Sequence, residues 1–503
     1  MVKIINSAEL ENLRLSPDEN HWVYNGLDNA VTFEIYQELN STIDDCARKT
    51  YEFSKALQAP VLEMNLRGLL VNQNRRRAVI KDFEQKTRQL ESQLSRLLKN
   101  VFDLDGFNWA SPAQVKALLY DVMGLPVQRK RNANGVFAPS TDRGALENLS
   151  IYYIAEPIIG HILLLRDLGK SLGFLRTPLD SDGRLRTSFN IAGTVTGRFS
   201  SSADDFGTGT NLQNITESLR SIFVADKGYK FANLDLEQGD SRNVGALCWD
   251  LFIESHGEAF AGSYLDACES GDLHTMVTKM VQPDLPWGSA SDKDVAETIF
   301  YRGQSYRQAS KKLGHGSNYL GKPGHMAKQS KFPIKDVQRF QDQYFAAFPC
   351  IPAWHQNVFW QLEHMGFTQS PFGRRRFFFG RPKEDATRRE AVANTPQSMT
   401  GDEINTGILN LWRANRVQLL VQVHDSILFQ FPEEQEEEIV PWALEALKAP
   451  LVLARQRPFV VPTEAKTGWN WGNASPENLD GLAKWKGSDS RTRNERQFKL
   501  SLL

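Results

Sequence analysis

Two carboxylates far apart in the chain carry most of its chemical meaning. Asp235 ends the apolar run Phe231-Ala-Asn-Leu-Asp235, and Asp425 sits at the tip of Val421-Gln-Val-His-Asp425-Ser-Ile-Leu-Phe429. Both runs read as short strands that stop at an acid. The second resumes at once as another strand, which makes His424-Asp425-Ser426 a hairpin turn. An isolated Asp at a strand end is usually no more than a turn residue. Two such acids brought to one place are hard-oxygen ligands for a pair of Mg²⁺ ions, with Mn²⁺ as a substitute. Such a pair clamps the attacking and leaving oxygens of a phosphoryl transfer.

Other stretches carry matching chemistry. Thr194-Val-Thr-Gly-Arg-Phe-Ser-Ser201 is followed by Asn211-Leu-Gln-Asn-Ile215 and Arg220. Asn and Gln side chains donate and accept in a minor groove whose pattern is largely sequence-degenerate, and Arg198 and Arg220 suit phosphates. Taken alone, the block reads equally as a polar loop capping a sheet. Arg307, Lys311, His315 and Tyr319 fall at steps of four and form one helical stripe. Two cations one turn apart can hold a triphosphate, and two flat rings further along can stack on sugar and base. Gly314 and Gly316 each cost about 1 kcal/mol relative to Ala in a helix, which close approach by a ligand would explain. The bland alternative for the stripe is a solvated basic face with a buried Tyr.

The elements that must position these groups follow from pattern. The 503 residues are too many for one core and suit about three or four domains or subdomains. Hydrophobic residues at 41% and charged residues at 24% describe an ordinary globular protein with no membrane-length apolar run. The N-terminus turns polar too soon for a signal peptide, and Cys46, Cys248, Cys268 and Cys350 are scattered, so a reducing cytosol is the expectation. A formal charge of −1 excludes no partner, because binding depends on local patches. Gln128-Arg-Lys-Arg131, Gly373-Arg-Arg-Arg376 and the tail from Lys484 to Lys499 are basic, against the acidic Glu433-Glu-Gln-Glu-Glu-Glu438. Helical patterns surround Ala30–Leu39 and Ile43–Leu57, and Val61–Val71 reads as a helix end turning at Gly68 into a strand. A long helix from Gln73 to Val101 has coiled-coil spacing, which predicts an antiparallel pair with Gln114–Met123, behind the Ser111-Pro112 start signal, as the neighbour. A loop rich in Arg, Asn and Gly occupies 129–143; short strands begin at 186; helices return over 272–345.

In their order, these motifs resemble family A DNA polymerases, the DNA polymerase I type. The resemblance rests on Thr-Gly-Arg-Phe-Ser-Ser with Asn-Leu-Gln-Asn-Ile, Asp235-Leu-Glu-Gln-Gly-Asp-Ser-Arg242, Asp272-Leu-His274 and the Arg307/Lys311/Tyr319 helix. Phe372-Gly-Arg-Arg-Arg376, Asn394-Thr-Pro-Gln397 and Val423-His-Asp425 complete it, over roughly residues 60 to 475. The chain looks more like a bacteriophage enzyme than a bacterial housekeeping one. The resemblance implies an α+β right hand: a palm of antiparallel sheet plus helices, helical fingers and a helical thumb. It divides the chain into an exonuclease-remnant or docking segment (1–60), thumb with first palm segment (61–185), first part of the palm (186–265), fingers (266–380) and second part of the palm (381–503). It also implies roles. Asp235 and Asp425 would bind both metals, with the Leu236 carbonyl as a further ligand. Arg307, Lys311, His315, Tyr319, His274, Gln238 and Asp240 would bind the dNTP. Arg198, Asn211, Gln213, Asn214, Arg220, Arg374, Gln397 and His424 would contact primer–template DNA.

The departures from the family pattern are specific. The usual sugar-gating Glu is Asp240, the large aromatic on the incoming sugar is His315, the carboxylate after the catalytic Asp is Ser426, and Leu320 replaces a usual Gly. Tyr24 and Asp28 resemble the last motif of the family's 3′–5′ exonuclease, and the two earlier motifs have no room upstream, so no proofreading by this chain alone is expected. The implied activity is template-directed extension of a primer 3′-hydroxyl with dNTPs by two metals. A separate exonuclease subunit or other replication proteins are the implied partners, with no membrane. One rival is a single-subunit RNA polymerase-like nucleotidyltransferase, which often carries His-Asp-Ser like His424–Ser426. The other is a catalytically inactive DNA-binding homologue. A carboxylate at 240 weighs against the first, and the intact aspartates weigh against the second.

Overall fold

The computed structural model describes residues 15–131, 135–203, 208–301 and 303–487. The polar N-terminus read against a signal peptide, and most of the Lys484–Lys499 tail, lie outside the described residues. Helix α1 (Pro17–Thr42) starts at a capping box in which Ser16 and Glu19 satisfy each other's backbone. It buries none of its residues, and Trp22, Tyr24, Phe33 and Leu39 stand in solvent. The helix Gln58–Arg67 ends at Gly68, whose φ of 61° lets the chain turn into the strand Leu69–Leu70, as the pattern around Val61–Val71 predicts.

Helix α2 (Gln73–Phe102) is the long helix of the sequence pattern. Its antiparallel partner is α3 (Glu156–Leu175) and not the segment after Ser111-Pro112. Contacts that run in opposite order along the two helices show the pairing: Gln93 meets His161, Glu84 meets Arg176, and Arg76 donates to the Leu175 carbonyl at 2.6 Å. Residues 112–122 form only a five-residue helix and a π-helical turn, too short to span α2. Their Val115, Leu118 and Leu119 instead close one end of a cluster made by Leu94, Leu98, Ile158 and Ile162. That cluster is separate from the main core. The 129–143 loop is in part a hairpin, Arg129–Arg131 against Phe137–Pro139.

The main core surrounds a sheet. In chain order its parts are β1 (Tyr229–Leu236), α4 (Gly239–His256), α5 (Tyr306–Asn318) and α6 (Asp385–Ala414), then β2 (Gln418–Val423), β3 (Ser426–Pro432), β4 (Thr463–Gly468) and β5 (Ala483–Lys484). The strand order is β2-β3-β1-β4-β5, antiparallel throughout. β1 is central because Phe231, Ala232 and Leu234 are buried, and the nearly unbroken apolar run of β3 is buried beside it. A buried ion pair, Lys230 to Glu436 at 2.7 Å, ties the sheet to the helix Glu436–Ala446. No helix among the described residues is long and apolar enough to cross a membrane.

Leu98 tests the separateness of the two cores. Leu98→Ala should cost about 3 kcal/mol in the α2–α3 lobe. Hydrogen exchange should then show lost amide protection over 94–165 with protection of β1 and β3 unchanged.

Candidate active site

Asp235, next to last in β1, lies opposite Ser426 of β3 on one side and Glu464 of β4 on the other. Asp425 belongs to the two-residue turn that joins Val423 to Ser426, and the Leu236 N–H donates to its carbonyl at 3.1 Å. The register therefore delivers both acids to one cleft of about 240 Å³, which Arg220, His424 and Lys466 also line. His424 takes a φ of 56° to make the turn, and Gln422 donates to its carbonyl at 2.5 Å. Gln213 in turn donates to Gln422 at 2.8 Å, so the Asn-Leu-Gln-Asn motif braces the hairpin from behind. Ser426 is absorbed by the turn, donating to the Val423 carbonyl at 2.9 Å.

Neighbouring carboxylates in a recess resist ionisation. Burial and then the Asp425 charge push Asp235 up to about 7, with Lys466 and Lys311 opposing the rise. Asp235 still reaches solvent at the mouth, so its shift comes from the recess around it and not from full enclosure. Burial raises Asp425 as well, with Arg198 pulling the other way. Two hard-oxygen acids with unneutralised charge, beside the Leu236 carbonyl, suit divalent cations. Among the described residues no three His, Cys, Asp or Glu side chains are grouped to hold a metal, so Asp235 and Asp425 are the acids that would hold the pair.

On α5, Lys311 and His315 are exposed, and Lys311 lies close enough to Asp235 to stabilise its charge. Arg307 is engaged: it donates to both oxygens of Asp272, at 2.8 and 2.9 Å. Burial would raise Asp272, but bonds from Arg307 and Thr275 outweigh it and hold the acid at about 2. His274 lies in the first turn of the helix Leu273–Val281, where burial, then Lys311 and Arg307, lower it to about 4. It is therefore neutral at pH 7. The rings of His315 and Tyr319 meet edge to face at 4.7 Å. The two helix glycines face neighbouring side chains, where the sequence reading looked for a ligand. A Cβ on Gly316 would lie 3.1 Å from the Met326 sulfur, and Gly314 faces Tyr344 with ordinary clearance, so the space admits neighbouring helices. Leu320 leaves α5 with a φ of 58°, the left-handed backbone a Gly would adopt without strain.

The residues assigned to DNA separate into groups. Gly197, at a φ of 79°, carries the Arg374 guanidinium directly on its backbone, 2.4 Å from where a Cβ would stand. Arg374 donates to Asp402 at 2.7 and 3.0 Å, and Asn405 donates to the Gly197 carbonyl at 3.0 Å. Arg374 is thus committed to a clasp between the Thr194–Ser201 block and α6, where the sequence reading grouped it with DNA ligands. Asn211 is likewise used internally, accepting from Ser201 and from the Asn214 N–H. Arg198 and Thr400 donate to one oxygen of Asp240 at 2.9 and 2.7 Å, and His315 and Tyr319 face the same carboxylate. Gln238 has a φ of 55° at the start of α4, with its Oε1 buried. Arg220 lies 4.7 Å over the Trp471 ring. Asn214 and His424 are exposed, and Gln397 is half-buried on α6.

Sequence reasoning missed Glu464, Lys466, Thr400 and Glu403. Burial pushes Glu403 up to about 8, and Asn243 donates to it at 3.1 Å. A signal existed for Glu464 and Lys466. They alternate in Thr463–Gly468, and a strand puts alternate residues on one face.

An antiparallel sheet seating two bare acids, with a lysine-bearing helix beside them, defines the right-hand polymerase class. The POL domain of Pol1 from M. smegmatis, solved in complex with DNA primer-template and dNTP, has this fold. It matches with a TM-score of 0.65 at 24% identity, covering 83% of this chain and 69% of that one. The chain belongs to DNA polymerase family A, whose family model matches residues 77–473. It is 27% identical over 437 residues to the thermostable DNA polymerase I of Thermus thermophilus, covering 83% of this chain and 47% of that protein. It is 28% identical over 472 residues to DNA polymerase I of Treponema pallidum, covering 90% and 43%. The chain spans about half the length of the curated relatives it matches.

The raised Asp235 has a thermodynamic sign. Unfolded, an Asp titrates near 4; folded, this one titrates at about 7. Between those values the folded state holds the extra proton, so stability falls as pH rises through that window and stays reduced above it. With a chelator present, Asp235→Asn should raise stability at pH 8 by about 1 kcal/mol after allowance for solvent screening. Thermal denaturation should show a much smaller gain at pH 5.

Proposed function

We propose that this chain is a DNA-directed DNA polymerase that extends a primer 3′-hydroxyl with dNTPs under the direction of a template. The observation that carries the reading is the convergence of Asp235 and Asp425 in one cleft, with Lys311 within electrostatic reach. In this reading the sheet is the palm (186–265 with 381–503), the helices of 266–380 are the fingers, and the α2–α3 lobe within 61–185 is the thumb. A bacteriophage origin and a cytoplasmic site of action belong to the same reading.

Mg²⁺ ions held by Asp235, Asp425 and the Leu236 carbonyl would neutralise charge and activate the attacking hydroxyl. The chain's own residues position the reactants, which is most of what phosphoryl transfer requires. Lys311 meets the triphosphate as a point charge, and Arg307 shares its fork between Asp272 and the phosphates. His274, being neutral, adds a hydrogen bond there without adding charge. Tyr319 and His315 offer rings to base and sugar. Asp240 stands at the sugar, held by Arg198 and Thr400, with Gln238 beside it. Arg198, Gln213, Asn214, Arg220, Gln397 and His424 border the primer–template. A 3′–5′ exonuclease acting in trans is the partner proposed for residues 1–60, where α1 exposes Tyr24 and Trp22.

Asp235→Ala and Asp425→Ala should each reduce primer extension about 10³-fold or more, with primer–template affinity retained. Extension assays with dNTPs and rNTPs, paired with equilibrium DNA binding, check both points. Near-wild-type extension by either variant, or a preference for rNTPs, would refute the reading.

A further inference from the structure

The cleft beside Asp235 and Asp425 holds a lysine, Lys466, that the chemistry above does not use. Strand register builds it. On β4, Glu464 lies opposite Asp235 and Lys466 lies opposite Asn233, so these side chains leave the sheet on one face. Arg220 lines the same cleft with its guanidinium over Trp471, and its Nε is buried without an acceptor. Stacking of this kind holds a guanidinium ready for an anion. The two additional acids in the cleft are already served: Glu464 pairs with Lys484 at 3.5 Å, and Glu217 accepts from Asn473. Among the described residues neither Lys466 nor Arg220 forms an ion pair, so two cations stand unspent beside the bare acids.

Their position selects the anion. Lys311 acts on Asp235 from α5 and does not line this cleft. In phosphoryl transfer the attacking and leaving oxygens lie roughly in line through the reacting phosphorus. With the triphosphate at Lys311 on α5, the cleft lined by Lys466 and Arg220 is left for the primer end. Resting on the polymerase reading above, we infer that Lys466, with Arg220, binds the phosphodiester next to the primer 3′ terminus and thereby positions the attacking hydroxyl. Lys466 is then a positioning residue, and the ligand it takes is a single anionic phosphodiester of the primer strand.

The test is a thermodynamic cycle on the full chain, read as primer–template affinity without dNTP. The primer's last linkage is either natural or an uncharged methylphosphonate, and the protein is wild type, Lys466→Met or Lys466→Arg. The neutral linkage should weaken wild-type binding about 5-fold, and Lys466→Met should weaken binding of the natural primer by a similar factor. The two changes together should cost little more than either alone, which marks a direct contact. Lys466→Arg should restore the dependence on the linkage charge, and the KM for dNTP should stay within about 2-fold of wild type, since uniform substrate binding is untouched. Additive losses would overturn the inference. So would a wild-type protein indifferent to the linkage, a result independent of how any variant folds. A raised dNTP KM with unchanged duplex affinity would place Lys466 on the triphosphate and equally overturn it. Extension of a natural primer by the wild type reports on the polymerase reading separately.

Discussion

Two carboxylates recessed where strands end set the terms for everything around them. Asp235 and Asp425 sit at the one point where β1 and the β2–β3 hairpin end side by side, and each resists losing its proton there. A loose scaffold would let them part. This one cannot, because β1 is central in the sheet, β3 is buried along almost its whole length, and Gln213 and Gln422 hold the turn from behind. Charge that burial penalises, and that the fold cannot move out to water, is relieved by an added cation or proton. The recess is therefore poised for ligands at the expense of its own stability, a common arrangement at functional sites.

The neighbouring acids sharpen the contrast. Asp240 has Arg198, Asp272 has Arg307, and Asp402 has Arg374. Each of those pairs spends an arginine fork on a carboxylate, so each fixes geometry and adds little net field. Two lysines, Lys311 and Lys466, influence Asp235 without pairing. Compact point charges on flexible stems can turn toward an arriving phosphate, whereas a filled fork must first be emptied.

How much of this was legible in the sequence varied with the physical signal. Asp235 and Asp425 were legible because a strand that stops at an acid, and a turn between two apolar runs, are local patterns. The length of α2 was legible from its heptad spacing, but its partner was not. Spacing says that a face needs covering, and only packing decides that Ile158 and Ile162, beyond the intervening hairpin, cover it. The expected α+β right hand is the fold found. Arg374 illustrates the limit at the site. An Arg-rich turn reads the same whether its guanidinium faces solvent or a buried acid, and Asp402 lay in an unremarked part of α6. Lys466 shows the reverse. Its alternation with Glu464 fixed a shared face, but register with β1 was needed to say that the face was that of Asp235.

The clasp over Gly197 has a consequence for heredity. Gly197, Arg374 and Asp402 come from three distant stretches, yet the guanidinium occupies the volume of the missing Cβ and fills its fork with the acid. None of the three can drift alone. A methyl at the first position evicts the second, and loss of the third strands a cation among buried groups. Descendants should therefore keep the trio whole or discard it whole, and the left-handed backbone at Gly197 asks for glycine in either case.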